Sequence, residues 1–145
     1  MKKSLDLILL VFFIALLGLS HMVHHRNYNS YKQQLKIFAD LNGTWKNTQP
    51  EFYNNLETEL PNLTISSIPL KAIKALYIQV NEPIDSTQKT IDLLHESIKA
   101  NPFLMFSEGH LAQIYYALRK YDSAYYYARK SFKELPNNAV HFAML

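Results

Sequence analysis

From Leu7 to Leu19 thirteen consecutive residues carry no polar side chain, and this run constrains the fold more than any other feature. Water excludes such a stretch, and a chain of 145 residues leaves too little sequence to wrap it inside a domain. It therefore enters a membrane. Leu5 to Val23 supplies 19 residues, which at about 1.5 Å per residue just crosses about 30 Å of hydrocarbon. The thirteen-residue core is also signal-peptide length, and Gly18-Leu19-Ser20 offers a small-x-small cleavage site before His21. Residues 1–23 are thus a membrane anchor or a signal peptide. Lys2, Lys3 and the α-amino group favour the cytoplasmic side, which places the body outside the cytoplasm, in the periplasm of a bacterium. Arg26, Lys32 and Lys36 follow closely and weaken that asymmetry.

Residues 24–66 read as a juxtamembrane helical hairpin. Tyr31, Leu35, Phe38 and Leu41 recur at i, i+4, i+7 and i+10, the stripe of an amphipathic helix, which Asn42-Gly43-Thr44 ends. Thr48-Gln49-Pro50-Glu51 predicts a second start, with threonine as cap and proline in the first turn. Phe52, Leu56 and Leu60 form its stripe, up to Pro61. Trp45, the only tryptophan, falls between the two helices and is expected to cover the end of their core.

Residues 67–145 repeat this helical punctuation. Ser67-Ile68-Pro69 opens a helix whose Ala72, Ile73, Leu76, Tyr77 and Val80 share a face. Asn81-Glu82-Pro83-Ile84 breaks it, and Asp85-Ser86-Thr87-Gln88 restarts helix in the manner of a capping box. Ile91, Leu94, His95 and Ile98 then face inward, until Ala100-Asn101-Pro102. Leu104 to Asn138 forms the clearest unit, two amphipathic helices joined at Arg119-Lys120-Tyr121-Asp122 and closed by Pro136. Phe106, Leu111, Ile114, Tyr115 and Leu118 lie along the first, and Ala124, Tyr127, Ala128, Ser131 and Leu135 along the second.

Ala112, Tyr115, Tyr121, Ala124, Ser131 and Pro136 stand in this unit where a tetratricopeptide repeat places its small residues, aromatics and closing proline, so the stretch resembles that family. Pro102 to Pro136 is 34 residues, the family's period. Residues 71–104 match more loosely, because Ile78, Thr90 and Ser97 stand at small positions. A third repeat begins at 139–145 and stops with its first helix unfinished, as in a fragment of a longer protein. The resemblance implies an all-α fold: an N-terminal anchor helix, then antiparallel hairpins of a short α-solenoid. It also implies a concave groove lined by the first helix of each repeat. Aligning the two repeats puts Gln79 with Gln113, Ala75 with Gly109 and Glu82 with Tyr116 on that surface, joined by Phe106. The basic pair with which chaperone-type repeats clamp a C-terminal carboxylate is missing, which argues against that ligand class.

Other chemistry is sparse. With only Gly18, Gly43 and Gly109 there is no phosphate loop, and no catalytic motif occurs. The absence of cysteine removes disulfides and thiolate metal sites. From residue 64 onward nine Lys and Arg oppose seven Asp and Glu, without the basic stripe that nucleic acid requires. His21, His24 and His25 share a helical face, but no nearby carboxylate orients them for a metal. Glu108 and His110 are two residues apart and diverge on a helix. Asn42-Gly43-Thr44 and Asn62-Leu63-Thr64 match glycosylation acceptors.

The chain is therefore expected to be no enzyme, to need no cofactor or metal, and to act as a membrane-tethered scaffold that binds a protein or peptide partner. Two other readings remain. One is a piece of a larger membrane enzyme of surface-polysaccharide assembly that carries a repeat tail; the other is a secreted binder released by cleavage. The apolar C-terminal residues would allow self-association.

Overall fold

The computed structural model describes residues 2–43, 50–59, 61–82 and 86–135. Trp45, the Thr48 cap, Leu60, the Pro83-Ile84-Asp85 turn, Pro136 and the third repeat at 139–145 lie outside the described residues. All regular structure among the described residues is helical: α1 (Lys2–Leu41), α2 (Pro50–Asn54), α3 (Leu70–Asn81), α4 (Thr87–Ala100), α5 (Phe106–Ala117) and α6 (Tyr121–Glu134).

Helix α1 runs unbroken for 40 residues, about 60 Å at 1.5 Å per residue. It is the one described helix long and apolar enough to cross a membrane, and its apolar half packs on none of the described residues. Its C-terminal third docks on the body, though not through the stripe that apolar spacing predicts. Tyr31 and Leu35 are each 52% exposed, and the buried positions are Ser30, Gln34, Ile37 and Asp40, one register away. This face is viable because its polar atoms are paired. Gln34 donates to the Ser30 hydroxyl at 3.1 Å and accepts from the Ile65 N–H at 2.8 Å. Tyr53 donates its hydroxyl proton to Asp40 Oδ2 at 2.8 Å. Hydrogen-bonded polar groups can be buried at little net cost.

The second hairpin helix is also shorter than expected. Helix α2 closes at Asn54, and the described residues 55–59 and 61–69 form no helix. Asn54 and Asn55 are poor helix formers. The Leu56 N–H turns back to the Tyr53 carbonyl at 3.3 Å, while Lys74 Nζ takes the Asn54 carbonyl at 2.9 Å. Tyr53 and Leu56 still reach the core, joined there by Ile37, Leu70, Ile73 and Tyr77.

From α3 to α6 each helix packs on the next and reverses direction. Lys71 at the start of α3 pairs with Glu96 near the end of α4 at 2.8 Å. Ser97 near the end of α4 meets Ser107 at the start of α5. Glu108 at the start of α5 meets Lys130 near the end of α6 at 3.0 Å. Ala72 and Ala75 of α3, Ile91 and Leu94 of α4, and Leu111 and Ile114 of α5 form a second core. Small residues permit this closeness: Ala112, Ala124, Ala128 and Ser131 are buried between α5 and α6. Three predicted face positions are open instead, Val80 at 56%, Leu118 at 42% and Leu135 at 38% exposed. Each lies at a helix end, where the neighbour no longer covers it. Arg119 makes the α5–α6 turn at φ 59°, in the left-handed region.

Candidate functional site

The seven groove residues expected from sequence separate into two groups. Ala75 is fully buried in the second core and Gly109 is buried on α5, so neither lines an open surface. Their small size lets neighbouring helices approach, which is a packing role. Gln79, Glu82, Gln113 and Tyr116 are exposed, and Phe106 is half-buried. On α5, Phe106, His110, Gln113 and Tyr116 follow one another at helical spacing along one open side. His110 is not among the groove residues expected from sequence, and its place four after Phe106 and three before Gln113 is the signal that assigns it to this side. The Phe106 and His110 rings meet at 4.8 Å in an edge-to-face arrangement. Tyr116, 63% exposed, meets Tyr121 of α6 at 5.8 Å in the same way.

The α3 contribution to the expected groove is confined to its last turn, since Ala72 and Ala75 are enclosed whereas Gln79 and Glu82 remain open. Beside Gln79 a hollow of about 270 Å³ opens where α3 ends, α4 begins and α5 ends. Ser86, Thr87 and Thr90 bring hydroxyls to it, and Ile114, Ala117 and Leu118 give it an apolar side. The Ser86 hydroxyl donates to the Glu82 carbonyl and does not cap α4, while Asp85, the expected cap of the box with Gln88, lies outside the described residues. Thr90 Oγ1 is buried and makes no hydrogen bond among the described residues.

At the opposite end, Lys71 bridges Glu59 at 2.9 Å and Glu96 at 2.8 Å beside a hollow of about 370 Å³. The hydrogen bonds to Glu96 and then Glu59 raise the Lys71 pKa, and the Lys71 hydrogen bond lowers that of Glu96. Burial, followed by the charge of Lys89, lowers the pKa of Lys74. These are structural pairings. Nothing in this hollow joins a nucleophile to a base, and the lowered Lys74 serves the Asn54 carbonyl.

Among the described residues no group of three His, Asp or Glu side chains is placed to hold a metal ion. His21 and His25 stack at 6.5 Å, and His25 contacts the Asn29 amide at 3.0 Å. The tyrosine run of α6 divides as its helical spread requires. Tyr127 is half-buried against Tyr115, with ring centroids 5.7 Å apart and planes at 8°, whereas Tyr125 and Tyr126 are exposed. His95 lies against Tyr127 at 5.7 Å between centroids, a packing contact of the α4–α6 side. No protein-family model, curated protein or solved structure matches the chain.

Proposed function

We propose that the protein is a membrane-tethered scaffold whose tetratricopeptide-like helices bind a peptide or protein partner outside the cytoplasm. The observation that carries this reading is the open side of α5, where Gln113 and Tyr116 are exposed and continue the line of the half-buried rings of Phe106 and His110. Exposed tyrosine beside amide groups offers large contact area at low entropic cost, the composition of interface hot spots. Gln79 and Glu82 at the end of α3 extend the surface, which is mostly uncharged and suits a peptide backbone that both donates and accepts hydrogen bonds. The apolar half of α1 supports tethering, and Lys2 and Lys3 ahead of it support an extracytoplasmic body.

Site-specific photocrosslinking in the native membrane tests this reading. A photoreactive side chain at Gln113 or Tyr116 should yield a discrete adduct, whereas one at Lys89 on the outer side of α4 should not. Equal labelling from all three positions would sink the groove assignment.

A further inference from the structure

Between Arg26 and Lys36, helix α1 carries three apolar or aromatic residues, Tyr28, Tyr31 and Leu35, at 50%, 52% and 52% exposure. The side of this segment that meets the body is polar. Ser30 and Gln34 are buried there, and Arg26, Asn29 and Gln33 share a hollow with Glu57 and Pro61. At about 100° per residue the middle of the apolar stripe lies nearly opposite the middle of that side. The helix thus docks its polar side and leaves its apolar stripe open. Lipid does not reach the stripe. Tyr31 and Leu35 lie about 12 Å and about 18 Å past Val23 along the unbroken helix, whereas the headgroup layer is about 5–8 Å thick. A protein surface is needed to cover them.

The spacing identifies the occupant. Tyr28, Tyr31 and Leu35 are three and four residues apart, the alternation at which two helices interlock along a left-handed seam. The same alternation passes back through His24 and His21, both exposed, and enters the apolar run at Leu17, Ile14 and Leu10. Every residue of that run is apolar, so the seam is permitted there and specified by the segment beyond it. The partner is therefore a helix that leaves the bilayer at the same level and in the same direction. A second copy of this chain meets both conditions, because insertion makes the copies parallel and identical apolar runs set them at one height.

We propose that α1 pairs with α1 of a second copy through this seam, parallel and in register. Charge agrees with the arrangement. Lys32 flanks the seam, and in a parallel pair it falls opposite Asn27 of the second copy, so no like charges meet across it. Its ammonium already lies over its own Tyr28 ring at 4.5 Å. The area is sufficient as well. Seam residues from Leu10 to Leu35, at about 60–120 Å² each, bury about 1,000–1,900 Å² over the two helices, the range of a specific interface. Each body docks opposite the stripe, so the two bodies sit on the outer sides of the pair. Two α5 surfaces on one stem give a bivalent partner the gain of avidity. The inference rests on α1 being retained as an anchor.

The chain has no cysteine, so single cysteines report the seam cleanly. Tyr31→Cys, Leu35→Cys, Asn29→Cys and Lys36→Cys variants of the full chain, all at exposed positions, are treated with a mild oxidant in native membranes. Positions 31 and 35 should yield severalfold more disulfide-linked dimer than positions 29 and 36. Adding Tyr31→Glu to the Leu35→Cys chain should lower that yield severalfold. Equal yields at all four positions, or a yield that Tyr31→Glu leaves unchanged, would overturn the pairing. Alkaline extraction of the same membranes reads the anchor separately. If no dimer forms while the chain stays in the extracted membranes, the pairing is refuted and the tether stands. If the chain is washed out and no dimer forms, both are refuted.

Discussion

The two cores that meet at α3 are built on different principles. In the first, Ile37, Tyr53, Leu56, Leu70, Ile73 and Tyr77 surround a fully buried carboxylate, Asp40, whose Oδ2 accepts the Tyr53 hydroxyl. In the second, Ala72, Ala75, Ile91, Leu94, Leu111 and Ile114 interlock with small residues at the closest approaches. The first therefore depends on hydrogen bonds that remain satisfied, the second on shape. That difference has a functional side. The shape-packed core carries the open α5 surface, and the polar one joins the body to the helix that is long and apolar enough to cross a membrane.

Truncation should hurt both cores, and the first one most. Tyr53→Ala removes a ring stacked on Tyr77 at 3.7 Å together with the Asp40 hydrogen bond, and is expected to cost about 3–5 kcal/mol. Leu94→Ala leaves a cavity among α3, α4 and α5 and should cost about 2–5 kcal/mol. Denaturant titration in mild detergent, followed by circular dichroism, measures both. If Tyr53→Ala lost less than 1 kcal/mol (about one third of the range expected from cavity formation), α1 would not be docked as described.

Removing single hydroxyls should separate the cores by sign. Tyr53→Phe deletes the donor to buried Asp40 and is expected to destabilise by about 1–3 kcal/mol. Thr90→Val deletes a buried hydroxyl with no hydrogen bond among the described residues, so it should stabilise the free protein by up to about 1 kcal/mol. Two losses of similar size would end the distinction between a polar and a shape-packed core.

How far the sequence revealed this arrangement depended on which signal each region used. Where packing is apolar and local, periodicity was sufficient: Leu111, Ile114, Ala124 and Ala128 are buried as their spacing predicts. Along α1 it pointed to the wrong face. Tyr31 and Leu35 form the apolar stripe, yet the helix buries Ser30, Gln34 and Asp40 against groups distant in sequence, the Ile65 N–H and the Tyr53 hydroxyl. No local pattern announces partners 31 and 13 residues away. The expected groove positions divide for a related reason. Aligning α3 with α5 pairs their positions in sequence, but the depth of helix contact decides which stay open, so Gln113 remains accessible and Ala75 does not.

Lys130→Ala and Glu108→Gln probe a charge inside the shape-packed region. Glu108 is 1% exposed, pairs with Lys130 at 3.0 Å through Oε1, and leaves Oε2 without a hydrogen bond among the described residues. Removing the lysine strands a buried carboxylate and should cost about 1–3 kcal/mol; neutralising the glutamate should cost less. The opposite order, read from the same titrations, would show that the carboxylate is hydrated rather than enclosed.

The smallest effect expected is the pH response of the Lys71–Glu96 pair, where α3 starts and α4 ends. The lysine hydrogen bond lowers the folded-state pKa of Glu96 below its unfolded value. A depressed carboxyl pKa contributes stability above the unfolded value, and that contribution disappears as pH falls through the folded one. Tyr77 and Tyr127 act in the opposite direction. Burial, with the charge of Asp40 next for Tyr77 and Tyr115 next for Tyr127, raises the pKa of both phenols above the ordinary tyrosine value. Their contribution is complete below the unfolded value and is lost as pH rises through the folded one. Because the Glu96 side chain is 52% exposed, solvent screens its pairing, and the acid loss should be only a few tenths of a kcal/mol. Thermal melts of Lys71→Met against the parent, across the carboxylate range, should therefore differ slightly near neutrality and converge in acid. A difference that widened in acid would mean that Lys71 supports this end by packing its aliphatic stem and not by its charge.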